Sequence, residues 1–430
     1  MANPSAPLTE RRYIAAFVLV TSLFFLWALG VNLNDILIPH LKKAFRLTDF
    51  QSSLIQAAFF GGYFLAALPA GWLMERIGYR KGILVGLLTC AFGAFLFIPA
   101  ASIGLYGFFL FALFVMACGQ GVLEVAANPY VTILGPPESS ERRLNLAQSF
   151  NAVGAVVTPI IGRAFILSGI EYSANQLSAM TPEQSVAYSA LEASRVRGPY
   201  LAITGLFLFV AALLYFARLP EVREVSAGAP SESEAAPRDH WAILRYKHLV
   251  KGVIAQFFYV GAQVGVTSFV IRFTQHALPN IPEKVAANFL KWHLIGFMIG
   301  RFAGSAMMKR IAPPRLLGLF AVCAFLCTLT AIVGSGAAPV WAVVLLGFFD
   351  SIMFPTIFAL SVKNLGVYTK LGSALLVMSI IGGAIVPVVM GYISDVSSIQ
   401  KAFVVPLICY TYALYFALRG YKPVAATTPG

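Results

Sequence analysis

Long apolar blocks fill most of the chain, and short polar segments separate them. In the first half the blocks lie at 13–38, 52–74, 82–101, 105–134, 145–169 and 199–218. In the second half they lie at 247–275, 285–308, 314–333, 338–362, 371–393 and 400–418. A helix needs about 20 apolar residues to cross the hydrocarbon core of a bilayer. Each block therefore predicts a membrane-spanning helix, and we number these helices spans 1–12.

The composition supports this interpretation. The 430 residues are 59% hydrophobic and 11% charged, whereas soluble domains carry about 25% charged residues. The N-terminal block has no small-residue cleavage site, so we interpret it as a first span and not as a removed signal peptide. The fold class predicted is an all-α membrane protein with twelve transmembrane helices.

The segment from Pro220 to Asp239 has a different composition from the rest of the chain. It is rich in Glu, Ser, Ala and Pro, and such a segment buries too little apolar area to fold by itself. We interpret it as a cytoplasmic linker. The predicted organisation is an N-terminal six-helix bundle at 1–218, a linker at 219–246 and a C-terminal six-helix bundle at 247–430.

The net charge of +13 comes from Lys and Arg in the short segments that separate the spans. Cytoplasmic loops of membrane proteins carry an excess of these residues. Placing the N-terminus in the cytoplasm puts most of them there, including Arg76, Lys81 and Arg142. The pattern excludes nucleic-acid binding and predicts a multi-pass protein of a bacterial inner membrane with both termini in the cytoplasm.

The two halves share sequence features, which is typical of a parallel internal repeat. An acid stands five residues before a proline in spans 4 and 10, at Glu124–Pro129 and Asp350–Pro355. A glycine stands five residues before a proline in spans 5 and 11, at Gly154–Pro159 and Gly382–Pro387. A glycine followed by basic residues also ends both span 2 and span 8. We therefore predict two pseudo-symmetric six-helix bundles that face each other.

The loop between spans 2 and 3 reads GWLMERIGYRKG. It resembles a loop motif of the major facilitator superfamily, with Gly71, Glu75, Arg76, Gly78 and Arg80 in register. We expect a close helix approach at Gly71 and an interhelical charge contact from Arg76. The motif therefore predicts a role in positioning helices and not in binding substrate.

Three acids lie inside predicted spans. Glu124 is the only acid or base in its apolar run, and burying its charge there costs a few kcal/mol. Asp350 occupies the repeat position of Glu124 in span 10, where a packing role is the alternative to a titratable or ion-paired one. Asp35 lies toward the outer end of span 1, where marking the interface or capping the turn before Pro39 is the alternative. We predict that all three acids take part in proton coupling.

Amide side chains recur near these acids. Asn145, Gln148 and Asn151 form one stripe on span 5, and Gln120 shares a face of span 4 with Glu124. Such a stripe suits sugar hydroxyls, although hydrogen bonds between helices alone also explain it. On span 1, Asn32 shares a face with Asp35, and Trp27 offers a stacking surface. We predict substrate contacts from Trp27, Asn32, Gln120, Gln148 and Asn151.

The second half carries a similar set of polar residues. Gln256, Tyr259 and Gln263 share one face of span 7, and we predict that they contact substrate. His293, Phe297 and Arg301 share one face of span 8. Arg301 is either a counter-charge for a buried acid or a basic residue that reaches toward the membrane surface, and we assign it a gating or structural role.

The sequence contains no motif for enzymatic chemistry. P-loop, GxSxG, HExxH and paired CxxC motifs are all missing, and the five cysteines lie in apolar runs without metal-ligand spacing. We therefore expect neither an enzyme nor a resident metal or cofactor. Transport against a gradient then has to use an ion gradient, and a buried carboxyl group supplies the coupling because only its neutral form crosses a dry barrier readily.

Long segments of the chain are similar to the fucose-galactose-glucose:proton symporter family within the major facilitator superfamily. They lie at 32–64, 121–156 and 353–395 and include the NLND and LEVAANP motifs. The resemblance implies that Asp35 and Glu124 are the proton-coupling pair. It also implies sugar contacts from Asn32, Gln148 and Asn151.

The resemblance leaves some questions open. Relatives generally look neutral at the position of Asp350, so the stoichiometry and the choice between a proton and sodium stay open. The segment FDSIMFPTIF is similar to the glucose/galactose branch.

We expect a monomeric transporter that imports a hexose with a cation by alternating access, with glucose or galactose ranked before fucose and a proton ranked before sodium. The alternatives are an N-acetylglucosamine or fructose symporter of the same family and a drug/proton antiporter of the same fold.

Overall fold

The computed structural model describes residues 7–45, 49–165, 181, 183–184, 188, 191, 194, 196–217, 220 and 240–423. All regular structure in these residues is helical. Spans 1–6 are formed by helices Ile14–Phe45, Asp49–Ile103 (which holds spans 2 and 3), Tyr106–Ile133, Ser140–Phe165 and Arg197–Phe216. Most of the predicted linker, at 221–239, lies outside the described residues.

The second half has the same layout with more interruptions. Spans 7–12 are formed by helices Lys247–Ala277, Glu283–Met307, Pro313–Val333, Ala337–Asp350 with Met353–Val362, Thr369–Met378 with Gly382–Val396, and Ile399–Ala402 with Val404–Tyr415. Short 3-10 helices lie at Arg11–Tyr13, Pro137–Ser139, His240–Arg245, Gly366–Tyr368 and Ser379–Ile381, and a π-helical turn lies at Phe416–Gly420. A helix therefore occupies every predicted block.

Nine helical stretches within the described residues are long and apolar enough to cross a membrane. One of them, Leu54–Ile103, has 50 residues, which suffices for two crossings of about 20 residues each. Spans 5 and 8 are helices that carry more polar and charged residues and do not belong to the nine. The fold is an all-α membrane fold, and the number of twelve crossings stays a prediction.

The connection between spans 2 and 3 turns at Gly78. Its backbone has φ 77° and ψ 172°, a conformation that is open to glycine and strained for residues with a Cβ. Gly71, at the end of span 2, lies against span 11, where an added Cβ would come within 2.8 Å of the Ala374 Cβ. The two glycines of the motif therefore allow a sharp turn and a close helix contact.

The glycines of the internal repeat occupy matching places in the two halves. Gly154 of span 5 packs on Ala28 of span 1, and Gly382 of span 11 packs on Phe257 of span 7. A side chain larger than hydrogen would collide with the neighbouring helix in both places. The repeated glycine thus preserves the same helix pair in each half.

Side chains from the two halves meet on the side that carries the predicted cytoplasmic loops. Lys363 Nζ lies 2.8 Å from Glu141 Oε1, and Asn145 Nδ2 donates to Thr356 Oγ1 at 3.0 Å. Ser305 Oγ donates to Arg142 O at 3.4 Å. Together with a contact from span 8 to span 5 described below, these bonds join the two halves on that side.

Arg143 ties span 4 to span 5. Its side chain is fully buried, and its guanidinium donates to the backbone oxygens of Val131 at 2.7 Å, Leu8 at 2.8 Å and Thr132. The guanidinium thus donates to carbonyl groups in the last turn of span 4, where the helix runs out of backbone donors. The contact fixes the angle between the helices that carry Glu124 and Gln148.

Candidate functional site

The site begins with Glu124 on span 4. The helix Tyr106–Ile133 is uninterrupted around it, and only 5% of Glu124 is exposed. Asn128 follows four residues later on the same helix face, and its Nδ2 donates to Glu124 Oε1 at 3.4 Å. The carboxyl group therefore lies inside the protein and has a neutral hydrogen-bond partner.

Amides continue the connection from Glu124 to the other half. Gln148 Nε2 of span 5 donates to Asn128 Oδ1 at 3.0 Å. Arg301 Nη1 of span 8 donates to Gln148 Oε1 at 2.9 Å and to Gln148 O at 2.5 Å. Four side chains, Glu124, Asn128, Gln148 and Arg301, thus form one chain across the contact between the halves. We refer to them as the relay.

The relay keeps its two charges apart. Within the described residues Glu124 and Arg301 interact electrostatically but make no direct ion pair, because the two amides stand between them. Arg301 is 4% exposed and its guanidinium lies 4.6 Å from the centre of the Phe297 ring. A change of charge at Glu124 therefore acts on Arg301 through hydrogen bonds and through the local field.

A second network joins spans 1, 2 and 4. Trp27 Nε1 donates to Tyr63 Oη at 2.9 Å, and Tyr63 Oη in turn donates to Gln120 Oε1 at 3.4 Å. All three side chains are buried, and Gln120 Nε2 is buried without a hydrogen-bond partner. The structure thus brings Trp27 and Gln120 together through Tyr63, a residue that the sequence analysis did not select.

The remaining predicted residues of the first half are less enclosed. Asn32 and Asn151 are half-buried, and Asn32 Nδ2 donates to Ala28 O of its own helix at 2.7 Å. The backbone of Asp35 lies in the helix of span 1, but its side chain lies outside the described residues. The roles of Asn32, Asp35 and Asn151 stay predictions.

In the second half, Tyr259 and Asp350 meet. Tyr259 Oη donates to the backbone oxygen of Asp350 at 2.8 Å, and the Asp350 carboxylate accepts from Tyr410 Oη of span 12 at 2.9 Å. Asp350 is fully buried, and its Oδ1 has no hydrogen-bond partner. Asp350 therefore faces span 12 and not the relay.

The two glutamines of span 7 differ in their surroundings. Gln256 is fully buried, and neither its Nε2 nor its Oε1 has a hydrogen-bond partner. Gln263 is half-buried. An amide buried without partners is costly, so Gln256 is a place where a ligand or a water molecule would gain hydrogen bonds. Substrate contact by either glutamine stays a prediction.

His293 connects three helices of the second half. Its Nδ1 lies 2.9 Å from Val343 O of span 10, and its Nε2 lies 3.2 Å from Thr267 Oγ1 of span 7. Both ring nitrogens of this span 8 residue therefore have partners. The arrangement holds span 8, and with it Arg301, in a fixed orientation.

The loop motif makes its interhelical hydrogen bond through Arg80. Arg80 Nη2 donates to Tyr215 O of span 6 at 2.8 Å, whereas Arg76 is exposed and Glu75 is half-buried. A positioning role for the loop stays a prediction. The contact that supports it comes from Arg80, although the sequence analysis assigned it to Arg76.

Sequence reasoning missed several polar residues of these networks. Asn128 had a readable signal, because it lies one helical turn after Glu124 inside the AANP motif. Tyr63, Tyr410 and Thr356 lie on spans whose polar positions show no regular pattern, so only the folded chain identifies them. In the described residues no group of three or more His, Cys, Asp or Glu side chains is arranged to hold a metal ion.

The sequence is similar to known transporters. Residues 20–387 match the Major Facilitator Superfamily. The chain is 44% identical over 412 residues to the L-fucose-proton symporter of Escherichia coli (strain K12), which is 95% of this chain and 93% of that protein. It is 42% identical over 415 residues to the glucose/galactose transporter of Brucella abortus biovar 1 (strain 9-941), which is 96% of each chain.

The fold is similar to a solved structure as well. A crystal structure of a Major Facilitator Superfamily transporter in the outward conformation matches with a TM-score of 0.88 and 42% sequence identity. The match covers 96% of this chain and 100% of that chain.

Proposed function

Because the chain belongs to the major facilitator superfamily, we propose that it is a secondary transporter that carries a hexose across the membrane together with a proton. The two relatives named above are a fucose-proton symporter and a glucose/galactose transporter, and each is covered almost completely by this chain. We rank glucose and galactose before fucose, as the segment in span 10 favours, and a proton before sodium.

The relay from Glu124 to Arg301 carries this proposal. It joins a buried carboxyl group of one half to a buried guanidinium of the other through Asn128 and Gln148. Hydrogen bonds to charged groups contribute about 1.5–3 kcal/mol each, so such a chain affects how readily the halves separate. Binding of a proton to Glu124 therefore affects the bond between Gln148 and Arg301. That bond has to break when the predicted cytoplasmic side opens.

The two protonation states of Glu124 make different contacts. The ionised carboxylate accepts hydrogen bonds and attracts the positive charge of Arg301 across the two amides that separate them. The neutral carboxyl group loses that attraction and gains an O–H donor, while one of its oxygens can still accept from Asn128. Protonation therefore weakens the link across the halves, and this favours sugar loading and closure of the outer side.

We place the sugar beside the relay, where amides of both halves are available. Hydrogen-bond donors and acceptors for the sugar hydroxyl groups come from Asn32, Gln148 and Asn151. Gln256 adds two amide atoms that have no hydrogen-bond partner. Asp35 exchanges the proton with the outside. We also assign substrate contact to Trp27, Gln120, Tyr259 and Gln263.

We propose that this structure faces outward, as a monomer in a bacterial inner membrane with both termini in the cytoplasm. The bonds between the halves on the side of the predicted cytoplasmic loops support this orientation.

The variant Glu124→Gln tests the coupling. Glutamine keeps an acceptor for Asn128 but stays neutral, so we expect sugar counterflow in proteoliposomes to continue while accumulation driven by a pH gradient is lost. For one proton per sugar, a gradient of about one pH unit supports up to about tenfold accumulation in the wild type. The matched control is Glu138→Gln, because Glu138 is exposed in the loop between spans 4 and 5.

Full accumulation by the Glu124→Gln variant would refute the coupling role of Glu124. A counterflow panel with glucose, galactose, fucose, fructose and N-acetylglucosamine identifies the sugar. Repeating the panel with and without sodium at fixed pH identifies the cation, and transport of hydrophobic cations instead of sugars would refute sugar symport.

A further inference from the structure

A groove lies between spans 1 and 6 at their predicted cytoplasmic ends. Its cavity volume is about 550 Å³, which falls within the range of ligand pockets. One face of span 1 lines the groove from Arg12 to Ser22, and Ala217 and Pro220 line it at the end of span 6. No residue of the relay lines this groove. It is therefore a cavity that the transport mechanism proposed above does not use.

The groove is apolar along most of its length and basic at one end. Ala15, Val18 and Leu19 offer only hydrocarbon, and Val18 is 61% exposed. At the far end, Ser22 Oγ donates to Leu19 O of its own helix at 2.6 Å, so this hydroxyl group is already satisfied. Arg12 stands at the opposite end. This arrangement suits an amphiphile with an apolar chain and an anionic head.

The length of the groove corresponds to one leaflet of a bilayer. Arg12 and Ser22 are separated by a length of chain that rises about 15 Å as a helix. The hydrocarbon core of a bilayer is about 30 Å thick, so one leaflet contributes about half of it. An apolar chain that enters beside Arg12 therefore ends near the middle of the membrane, as the acyl chain of a lipid does.

Two neighbours orient Arg12 at the basic end. Its Nε lies 2.7 Å from Glu10 Oε2, and its Cζ lies 4.6 Å from the centre of the Tyr13 ring. The guanidinium carries further N–H donors beyond Nε, and its planar shape matches a phosphate group. The side chain is 69% exposed, and the adjacent Arg11 is exposed as well. Two arginines beside one glutamate leave this end positively charged.

We propose that the groove binds a phospholipid of the leaflet on the predicted cytoplasmic side, with one acyl chain between spans 1 and 6 and the phosphate on Arg12. The excess of positive charge favours an anionic headgroup such as that of phosphatidylglycerol. The residues of the groove belong neither to the relay nor to the assigned substrate contacts. Lipid binding can therefore be measured without any sugar, and it is independent of the transport function.

Native mass spectrometry of the full-length protein tests the site. The purified protein in detergent is titrated with phosphatidylglycerol or phosphatidylcholine, and the fraction that retains one lipid is recorded. We expect the wild type to retain phosphatidylglycerol preferentially. Arg12→Gln should weaken that binding about fivefold, which is the effect of one basic residue at an anionic membrane surface. The matched control is Arg315→Gln, because Arg315 is an exposed arginine in the first turn of span 9.

A second variant blocks the apolar part of the groove. Ala15 is exposed, so Ala15→Phe can be accommodated in the fold while its ring fills the space for the acyl chain. We expect it to reduce the retention of both lipids. Ala212→Phe is its control, because Ala212 is an exposed alanine of span 6. Equal retention of both lipids by the wild type and Arg12→Gln, or equal losses in the controls, would overturn the proposal.

Photo-cross-linking identifies what occupies the groove. The probe p-benzoylphenylalanine is placed at position 18, and the protein is reconstituted in vesicles that contain phosphatidylglycerol. We expect a cross-link to the lipid that Arg12→Gln diminishes. A cross-link to residues 221–239 of the same chain would show that the linker fills the groove, and this result would also overturn the proposal.

Discussion

Spans 4 and 10 carry the same sequence feature and fold differently. In span 4, Glu124 and Pro129 lie in one continuous helix, and the acid bonds to Asn128 of its own helix. In span 10, Asp350 is the last residue of a helix that stops before Pro355. An acid and a proline at the same spacing thus give an acid in the relay in one half and an acid beside a helix break in the other.

The difference comes from residues that are distant in sequence. Tyr259 and Arg301 bond the backbone of span 10 where it breaks, and Tyr410 of span 12 bonds the Asp350 carboxylate. Glu124 instead connects to span 5 and then to span 8 through amides. An internal repeat therefore conserves the position of a residue along its helix, whereas the neighbouring helices decide its contacts.

The largest expected difference separates the two acids. Asp350→Asn keeps an acceptor for Tyr410 and touches no residue of the relay, so we expect accumulation driven by a pH gradient to stay within about twofold of the wild type. Glu124→Gln is expected to lose that accumulation, which is up to about tenfold per pH unit. Measurements in proteoliposomes with the membrane potential clamped compare the two directly.

Loss of accumulation in both variants would give Asp350 a coupling role equal to that of Glu124, as the sequence analysis predicted. Glu124 and Asp350 would then not differ in function. Parallel counterflow by each variant establishes that the protein is folded and still transports.

A smaller effect is expected from Tyr410→Phe. It removes the hydrogen bond that the buried Asp350 carboxyl group accepts from Tyr410, which costs about 1–3 kcal/mol. We expect a lower midpoint of thermal unfolding in detergent, with accumulation driven by the pH gradient retained. If Asp350→Asn is added to Tyr410→Phe, the destabilisation should shrink, because an amide is cheaper to bury without a partner than a carboxylate.

The smallest effect is expected from Thr356→Val. It removes the hydroxyl group that accepts from Asn145 of the other half, and such a bond contributes about 0.5–1.5 kcal/mol. Spin labels at Glu138→Cys and Val367→Cys, with the five native cysteines replaced, should show a modest increase in the population with the two halves apart. Thr330→Val is the control, because Thr330 is half-buried and its hydroxyl group bonds within its own helix. An equal shift in the control would show that the bond from Asn145 to Thr356 does not hold the halves together.

The spans could be predicted from the sequence because the bilayer imposes both length and composition. The block at 105–134 corresponds to the helix Tyr106–Ile133, and the turn at Gly78 falls inside a readable motif. The break in span 10 could not be predicted in this way. Pro355 and Pro129 look alike in sequence, and only the contacts made by Tyr259 and Arg301 distinguish them.

The candidate site was partly readable for a similar reason. Helical spacing and the cost of a charge in an apolar segment selected Glu124, Gln148 and Arg301, each on a separate span. Their order in the relay, and the part played by Asn128, required the packing of spans 4, 5 and 8. Spacing along a helix determines a face, but it does not determine which neighbouring helix that face meets.

The sequence by itself determined that this protein lies in a membrane, that its halves repeat, and that a few acids and amides must be buried. Those properties follow from the free energy of transferring each side chain and from the period of the helix, which are local quantities. The tertiary structure decided that Asn128 and Gln148 connect Glu124 to Arg301 and that Asp350 lies at a break in span 10. These outcomes depend on which helices come within hydrogen-bond distance, and that distance is a property of the whole packed bundle.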